Sequence, residues 1–143
     1  MNRSAPHARV VPVLTVSDVR AAVEWYAKAF GFVEHVRIGE GHRAQLGLLG
    51  ESAAELIVAE VRSGRRVPER ELSHQVMLKV ADATAIVGRA KELGATVVGE
   101  VKDWEYGERQ ATLDDPFGHQ WILTETLRDT APESWGGVTV APR

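Results

Sequence analysis

Apolar residues recur along this chain with two different spacings, and the whole succession of spacings occurs twice. The Val-rich run 10–16, with Pro12 near its start, predicts a buried or edge strand. Over 18–30, the apolar residues Val19, Ala22, Val23, Tyr26 and Phe30 follow the i, i+3, i+4 rule of an amphipathic helix. Ser17 or Asp18 is its N-cap and Gly31 its C-terminal stop. Runs 32–38, 43–49 and 55–61 then predict three strands, punctuated by Gly39, Gly41 and Gly50. Residues 62–73, with Gly64, Pro68 and several charges, are a linker. Beyond it come a strand at 75–80, a helix from Asp82 to Leu93 stopped by Gly94, and strands at 97–101, 108–113 and 119–125. Asp115-Pro116-Phe117-Gly118 is a tight turn with Pro at i+1 and Gly at i+3. The stretch 127–143 carries Pro132, Gly136, Gly137 and Pro142 and is an irregular tail pinned by Trp135.

The two halves match residue by residue. Val16-Ser17-Asp18 returns as Val80-Ala81-Asp82, Arg43 as Arg109, and the run Glu55 to Glu60 as Gln120 to Glu125. The offset drifts slightly from pair to pair, as a duplication with small loop insertions produces. The expected architecture is α+β: one domain, 1–143, made of βαβββ modules at 10–61 and 74–126. A cleft between like modules can be lined from both halves, so a cavity is expected at the pseudo-symmetry axis.

Composition narrows the chemistry. An apolar fraction of 44% and a charged fraction of 26% are globular values. The net charge of -3 leaves no footprint for nucleic acid or an acidic membrane. The chain has no cysteine, which excludes disulfides, thiolate nucleophiles and Cys-based zinc sites. No apolar run approaches a membrane span, and residues 1–9 lack the apolar core of a signal peptide, so a cytoplasmic protein is expected. Gly-x-Gly-x-x-Gly, a phosphate loop and Gly-x-Ser-x-Gly are all missing.

Trp104-x-Tyr106-Gly107-x-Arg109, followed by Asp114-Asp115-Pro116-Phe117-Gly118-His119-Gln120-Trp121, carries a resemblance. With the twofold βαβββ repeat it resembles the vicinal oxygen chelate superfamily, which holds glyoxalase I, the bleomycin-resistance proteins and the extradiol dioxygenases. The resemblance covers residues 10–126 and implies cupped mixed sheets around a cavity, usually in a homodimer. It also implies where metal ligands stand in metal-dependent members. Those positions hold Val11 and Gln75 on the first strands and Ile57 and Ile122 on the last ones. Val and Ile cannot coordinate, and Gln is a poor ligand for zinc, nickel or iron(II). Glu55 is the one nearby acid, and a single acid makes no metal site. No metal and no other cofactor is therefore expected. His74 falls on the strand face opposite Gln75, Met77 and Lys79 and is expected at the rim; His119 is expected to stabilise the turn.

What remains is a cavity with sparse polar anchors. Strand parity aims Val13, Thr15, Glu55, Ile57, Ala59, Gln75, Met77, Lys79, Gln120, Ile122 and Thr124 at the concave face, with Leu78, Trp121 and Leu123 beneath the helices. The expected ligand is small and aromatic or polyfunctional, lying against Val13, Ile57, Met77 and Ile122. Trp104 and Tyr106 stack on it, and Arg109, supported by Gln75, is its charged anchor. Glu55 is the candidate base if the chain is an enzyme. Two functions follow: metal-free sequestration of a small molecule, as in drug-resistance members, or catalysis of the superfamily's isomerase, lyase or dioxygenase kind or by metal-free acid–base chemistry.

Overall fold

A computed structural model describes residues 2–48, 54–69 and 72–139. The chain divides into two compact units, Met1–Glu71 with Phe117–His119, and Leu72–Pro116 with Gln120–Arg143. Each is one βαβββ copy.

In the first unit, β1 (Val13–Val16) runs into α1 (Val19–Phe30), followed by β2 (Val33–Ile38), β3 (Arg43–Gly47) and β4 (Glu55–Glu60). The four-stranded sheet has the order β1-β4-β3-β2, with β1 parallel to β4 and the other pairs antiparallel. Asp18 is the N-cap of α1: its carboxylate accepts the Ala21 N–H at 3.0 Å, satisfying one of the helix's unpaired donors. Gly31 ends the helix at φ 81°, a left-handed conformation that glycine adopts without a Cβ clash. The helix buries Val19, Ala22, Trp25, Tyr26, Ala29 and Phe30 against the sheet face carrying Leu14, Val16, Ala44, Leu46, Leu56 and Val58.

The second unit repeats the plan: β5 (Val76–Lys79), α2 (Ala83–Glu92), β6 (Thr96–Asp103), β7 (Glu108–Asp114) and β8 (Gln120–Thr126), ordered β5-β8-β7-β6. Asp82 caps α2 as Asp18 caps α1, accepting from Ala85 N at 3.0 Å. Leu78, Ala111, Leu113, Trp121 and Leu123 form its buried sheet face. Trp121 is fully buried and donates its indole N–H to Asp115 at 2.9 Å. The face of each sheet away from its helix is called the open face below.

Several element bounds differ from the periodicity. The first strand starts at Val13 rather than Val10, because ladder bonding to β4 begins where Ile57 N donates to Pro12 O (2.9 Å) and Val10 is exposed. The strand expected over 75–80 keeps only Val76–Lys79. Strand β6 is longer than expected, since Lys102 and Asp103 pair with Gln110 and Arg109 beyond an irregularity in the ladder. The 43–49 strand ends at Gly47, and Leu49 lies outside the described residues. The tail contains a 3-10 turn, Pro132–Trp135, and the Trp135 ring meets Tyr106 with centroids 5.3 Å apart.

The turn 117–119 belongs to the first unit for a physical reason that periodicity does not carry. Phe117 packs edge-on against Trp25 (6.2 Å) and tilted on Tyr26 (5.9 Å), extending the aromatic cluster of α1. His119 is buried and its Nε2 lies 2.8 Å from the carbonyl of Thr15. A carbonyl only accepts, so this nitrogen carries the proton. His119 thus anchors the turn, as expected of it.

Candidate functional site

Strand register sorts the expected site residues into rows. On the open face of the first unit, Val13 lies beside Ile57, and Ile57 beside Gln45. On that of the second, Met77 lies beside Ile122, Ile122 beside Thr112, and Thr112 across from Gly99. Val13, Glu55 and Ile57 therefore belong to one unit, and Gln75, Met77, Trp104, Tyr106, Arg109 and Ile122 to the other.

The second unit offers an apolar floor beside a polar chain. A cavity of about 520 Å³ is lined by Gly99, Lys102, Trp104, Gln110, Thr112 and Ile122, with Glu100, Val101 and Ala111. Met77 (59% exposed) and Trp104 (38%) leave large apolar surface open to solvent here. Trp104 stacks on Tyr106 nearly parallel, 9° between planes and 5.8 Å between centroids. The Lys102 ammonium sits 3.9 Å from the Trp104 ring centroid, a cation–π contact. Tyr106 Oη donates to Gln110 Oε1 (2.9 Å), Gln110 Nε2 to Thr124 Oγ1 (3.1 Å), and Thr124 Oγ1 to Glu108 Oε1 (2.8 Å). The Glu108 carboxylate can only accept, so every donor in the chain points toward it. That order leaves the Tyr106 oxygen an acceptor and the second Gln110 N–H a donor.

Gln75 and Arg109 do not join this site. Gln75 precedes β5 and donates to Gln120 Oε1 at 2.6 Å, while Gln120 in turn donates to Asp114 at 2.9 Å. Arg109 pairs with Glu125 across the ladder, on the helix side of the sheet, where Glu125 also accepts the Ala83 N–H of the first turn of α2 (2.9 Å). Its guanidinium makes a two-pronged bond to Asp103 (2.7 and 3.1 Å) and lies 3.7 Å from Glu125. The bond from Arg109 holds the Asp103 carboxyl below its ordinary value, and Asp103 in turn raises the guanidinium. The repeat equates Arg43 with Arg109, but the ladders do not. Arg43 stands opposite Ala59, and the residue opposite the corresponding Thr124 is Gln110. Lys79, opposite Thr124, also faces the open side; the cation over Trp104 is Lys102, which alternation alone misses because the β6 ladder is irregular between Gly99 and Lys102.

In the first unit, a cavity of about 640 Å³ is bounded by residues of the N-terminal segment, among them Arg3, Pro6 and His7, and by His35, Gln45 and Glu55. Both Glu55 oxygens are engaged: one accepts His7 N–H at 3.0 Å, the other the Ala8 N–H. These backbone bonds, with His7 and His35 nearby, hold its carboxyl below the ordinary value. A carboxylate so held is a good acceptor and a weakened base. Of the positions where the superfamily's metal ligands stand, Ile57 and Ile122 carry hydrocarbon, Val11 precedes β1, and Gln75 is bonded to Gln120. Among the described residues, no group of three His, Asp or Glu converges to hold an ion. His74 is exposed, just before β5. The donor set does not fit the metal.

Comparison with known proteins agrees with this architecture. Residues 12–124 match the glyoxalase-like domain family. The chain belongs to that family, and with it to the vicinal oxygen chelate superfamily. An uncharacterized protein of Mycobacterium bovis is 32% identical over 126 residues, covering 82% of this chain and 83% of its own length. The crystal structure of TioX from Micromonospora sp. ML1 superposes with a TM-score of 0.64 at 27% identity, over 84% of this chain and 99% of that one. A glyoxalase/bleomycin resistance protein/dioxygenase family enzyme from Burkholderia phytofirmans shares the fold, with a TM-score of 0.67 at 17% identity over 82% and 97% of the two chains. No helix among the described residues is long and apolar enough to cross a membrane.

Proposed function

We propose that this chain is a metal-free small-molecule-binding protein of the glyoxalase/bleomycin-resistance type, and that its ligand is an aromatic or polyfunctional molecule bearing an acidic group. The observation that carries the reading is the open face of the second unit, where Met77, Ile122 and Trp104 leave apolar surface beside a pre-ordered polar chain. A mostly apolar cleft with a few fixed polar groups suits a small molecule. The ligand's apolar part rests on Met77 and Ile122, and its acidic group takes Lys102 and the Gln110 N–H. A planar ring replaces the Lys102 ammonium on the outer face of Trp104. Val13 and Ile57 form the corresponding row in the first unit. The enzymatic reading, with Glu55 as base, is weaker, because that carboxylate is already committed to two backbone N–H groups.

Homodimerisation belongs to the same proposal: the superfamily resemblance implies it, and Met77 and Val98 remain exposed in the single chain. Light scattering at micromolar concentration tests it, and a monomeric mass of 15.7 kDa rejects it.

The binding proposal is tested by thermal-shift screening of aromatic carboxylates beside their neutral amides, together with elemental analysis of the purified protein. Stabilisation by the acids, without a stoichiometric transition metal, is the expected result. One bound metal per chain, or amides binding as well as acids, rejects the respective half of the reading.

A further inference from the structure

We infer that the ligand of the second unit's open face is a long, flat molecule with an acidic group at each end, one held by Lys102 and the other by Lys79. The inference rests on the binding proposal above and deepens it: the site is the same, and the second acid is new. Pairing across the sheet places the two lysines in one row. Lys79 stands opposite Thr124, Thr124 opposite Gln110, and Gln110 opposite Lys102. Gln110 bonds to Thr124, and both Gln110 and Lys102 border the open-face cavity. Lys79 follows Met77 by two residues on a regular parallel ladder, so it shares the face of Met77. In the order β5-β8-β7-β6, the two lysines sit on the outer strands. Three strand spacings separate them, about 14 Å between α-carbons.

The middle of this row repels an acid and its ends attract one. Thr124 is buried and donates its hydroxyl to Glu108 at 2.8 Å, so an anion laid over the centre meets that carboxylate. Both lysines are exposed, and neither belongs to an ion pair among the described residues. The neighbouring row is the bed for the ligand's body. Met77, Ile122, Thr112 and Gly99 lie side by side across the same strands, parallel to the charged row. Gly99 has no side chain, and a Cβ there would press on Thr112 at 3.3 Å, so the floor stays flat toward the β6 edge. An apolar body along this row carries its acids outward to the two lysines.

The first copy of the repeat shows that the fold does not require such a row. There the equivalent positions are Thr15, Ala59, Arg43 and Ile38, with the cation on an interior strand and uncharged residues at both edges. Two lysines at opposite edges of one row are a property of the second sheet alone.

The test is isothermal titration of the full chain with three compounds: a biphenyl with a carboxylate at each far end, its monocarboxylate, and the biphenyl with both carboxylates adjacent on one ring. The end-to-end diacid should bind about three- to tenfold more tightly than the monoacid, the gain of one partly solvated ion pair. Lys79→Met should remove that gain and leave the monoacid and the adjacent diacid unchanged. Lys91→Met, on α2, removes the same charge on the helix side and should change none of the three. An end-to-end diacid that gains nothing over the monoacid, or a gain that survives Lys79→Met, overturns the inference while the site itself stands. Monoacid binding untouched by Ile122→Glu puts the site elsewhere and overturns both. No binding by any of the three compounds overturns the inference and leaves the site to the comparison of acids with amides.

Discussion

Arg109 and Gln110 are neighbours on β7 whose side chains serve opposite faces of one sheet: Arg109 is bonded to Asp103 and lies near Glu125, and Gln110 is bonded to Thr124. Because Glu125 also caps the first turn of α2, Arg109 helps to fix the strand to the helix's N-terminus. Its side chain is 34% exposed and that of Asp103 55%, so solvent screens the pair. Arg109→Ala is expected to lower the melting temperature only slightly and to speed amide exchange in the first turn of α2. Loss of the fold in this variant would contradict the assignment.

Gly107 is the least replaceable residue of the β6–β7 turn. Its φ is +87°, and a Cβ would lie 2.4 Å from the Arg128 carbonyl oxygen. Its own carbonyl accepts from Leu127 N at 2.8 Å, which docks the tail behind the Trp104–Tyr106 stack. Left-handed backbone alone costs a side chain on the order of 1–3 kcal/mol, and the clash adds to it. Gly107→Ala should lose at least about 2 kcal/mol in urea titration, judged from the same strain scale. It should also change Trp104 fluorescence, whereas Gly41→Ala, which meets nothing within 4 Å and has an ordinary φ, should do neither.

Acid should weaken the first unit through Glu34. Both its oxygens accept from Arg20 on α1 (3.1 and 2.5 Å), and Arg37 adds a bond at 2.8 Å. The bond from Arg20, the largest cause, together with Arg37 takes the carboxyl from 4.5 down to about 2. A carboxyl depressed in the folded state binds fewer protons than in the unfolded chain, so its contribution is present above pH 4.5 and is lost as pH falls toward 2. Urea unfolding at successive pH values should show stability falling through that window, less steeply in Glu34→Gln. Equal slopes would mean the pair does not couple folding to protons.

The repeat, both Asp caps, the glycine stops and the buried Trp121 were legible because each is a local pattern with a fixed physical cause. Asp82 caps α2 for the same reason Asp18 caps α1, and hydrophobic alternation set Leu78, Trp121 and Leu123 beneath the helix. The faces of Arg109 and Lys102 were not legible, because strand parity fails wherever a ladder is irregular, and two nearly equal offsets choose between adjacent residues. Trp25 was missed for another reason: it falls off the helix's strict apolar stripe and is buried by Phe117, far away in sequence. No periodicity reports the hold of Glu55 and Gln45 on residues 4–8, since those bonds go to main chain.

Trp121→Phe probes the polar bond inside the second core. The substitution keeps most of the ring but removes the donor that Asp115, itself buried, accepts from at 2.9 Å. Loss of a hydrogen bond to a buried carboxylate, with part of a core side chain, should destabilise by roughly 2–4 kcal/mol. Asp115→Asn should cost less than Trp121→Phe, since its amide oxygen still accepts. The reverse order in chemical denaturation would show that the carboxylate serves a different partner.

The ligand site is decided by comparing two cations. Lys102 stands over Trp104 on the open face, while Arg109 faces the helix side. If an aromatic acid binds where proposed, Lys102→Met should weaken it by about three- to tenfold, the modest effect of one partly solvated charge. The same variant should leave the neutral amide of that ligand unaffected, because its ring still meets Trp104, Met77 and Ile122. Ile122→Glu should weaken both, since an acid in the apolar floor repels the carboxylate and resists desolvation. Arg109→Ala should change neither affinity while the protein remains folded. Isothermal titration of one acid and its amide against these three variants suffices. A loss confined to Arg109→Ala, with Lys102→Met binding like the unsubstituted chain, would move the anchor to the helix side of β7 and end this assignment of the site.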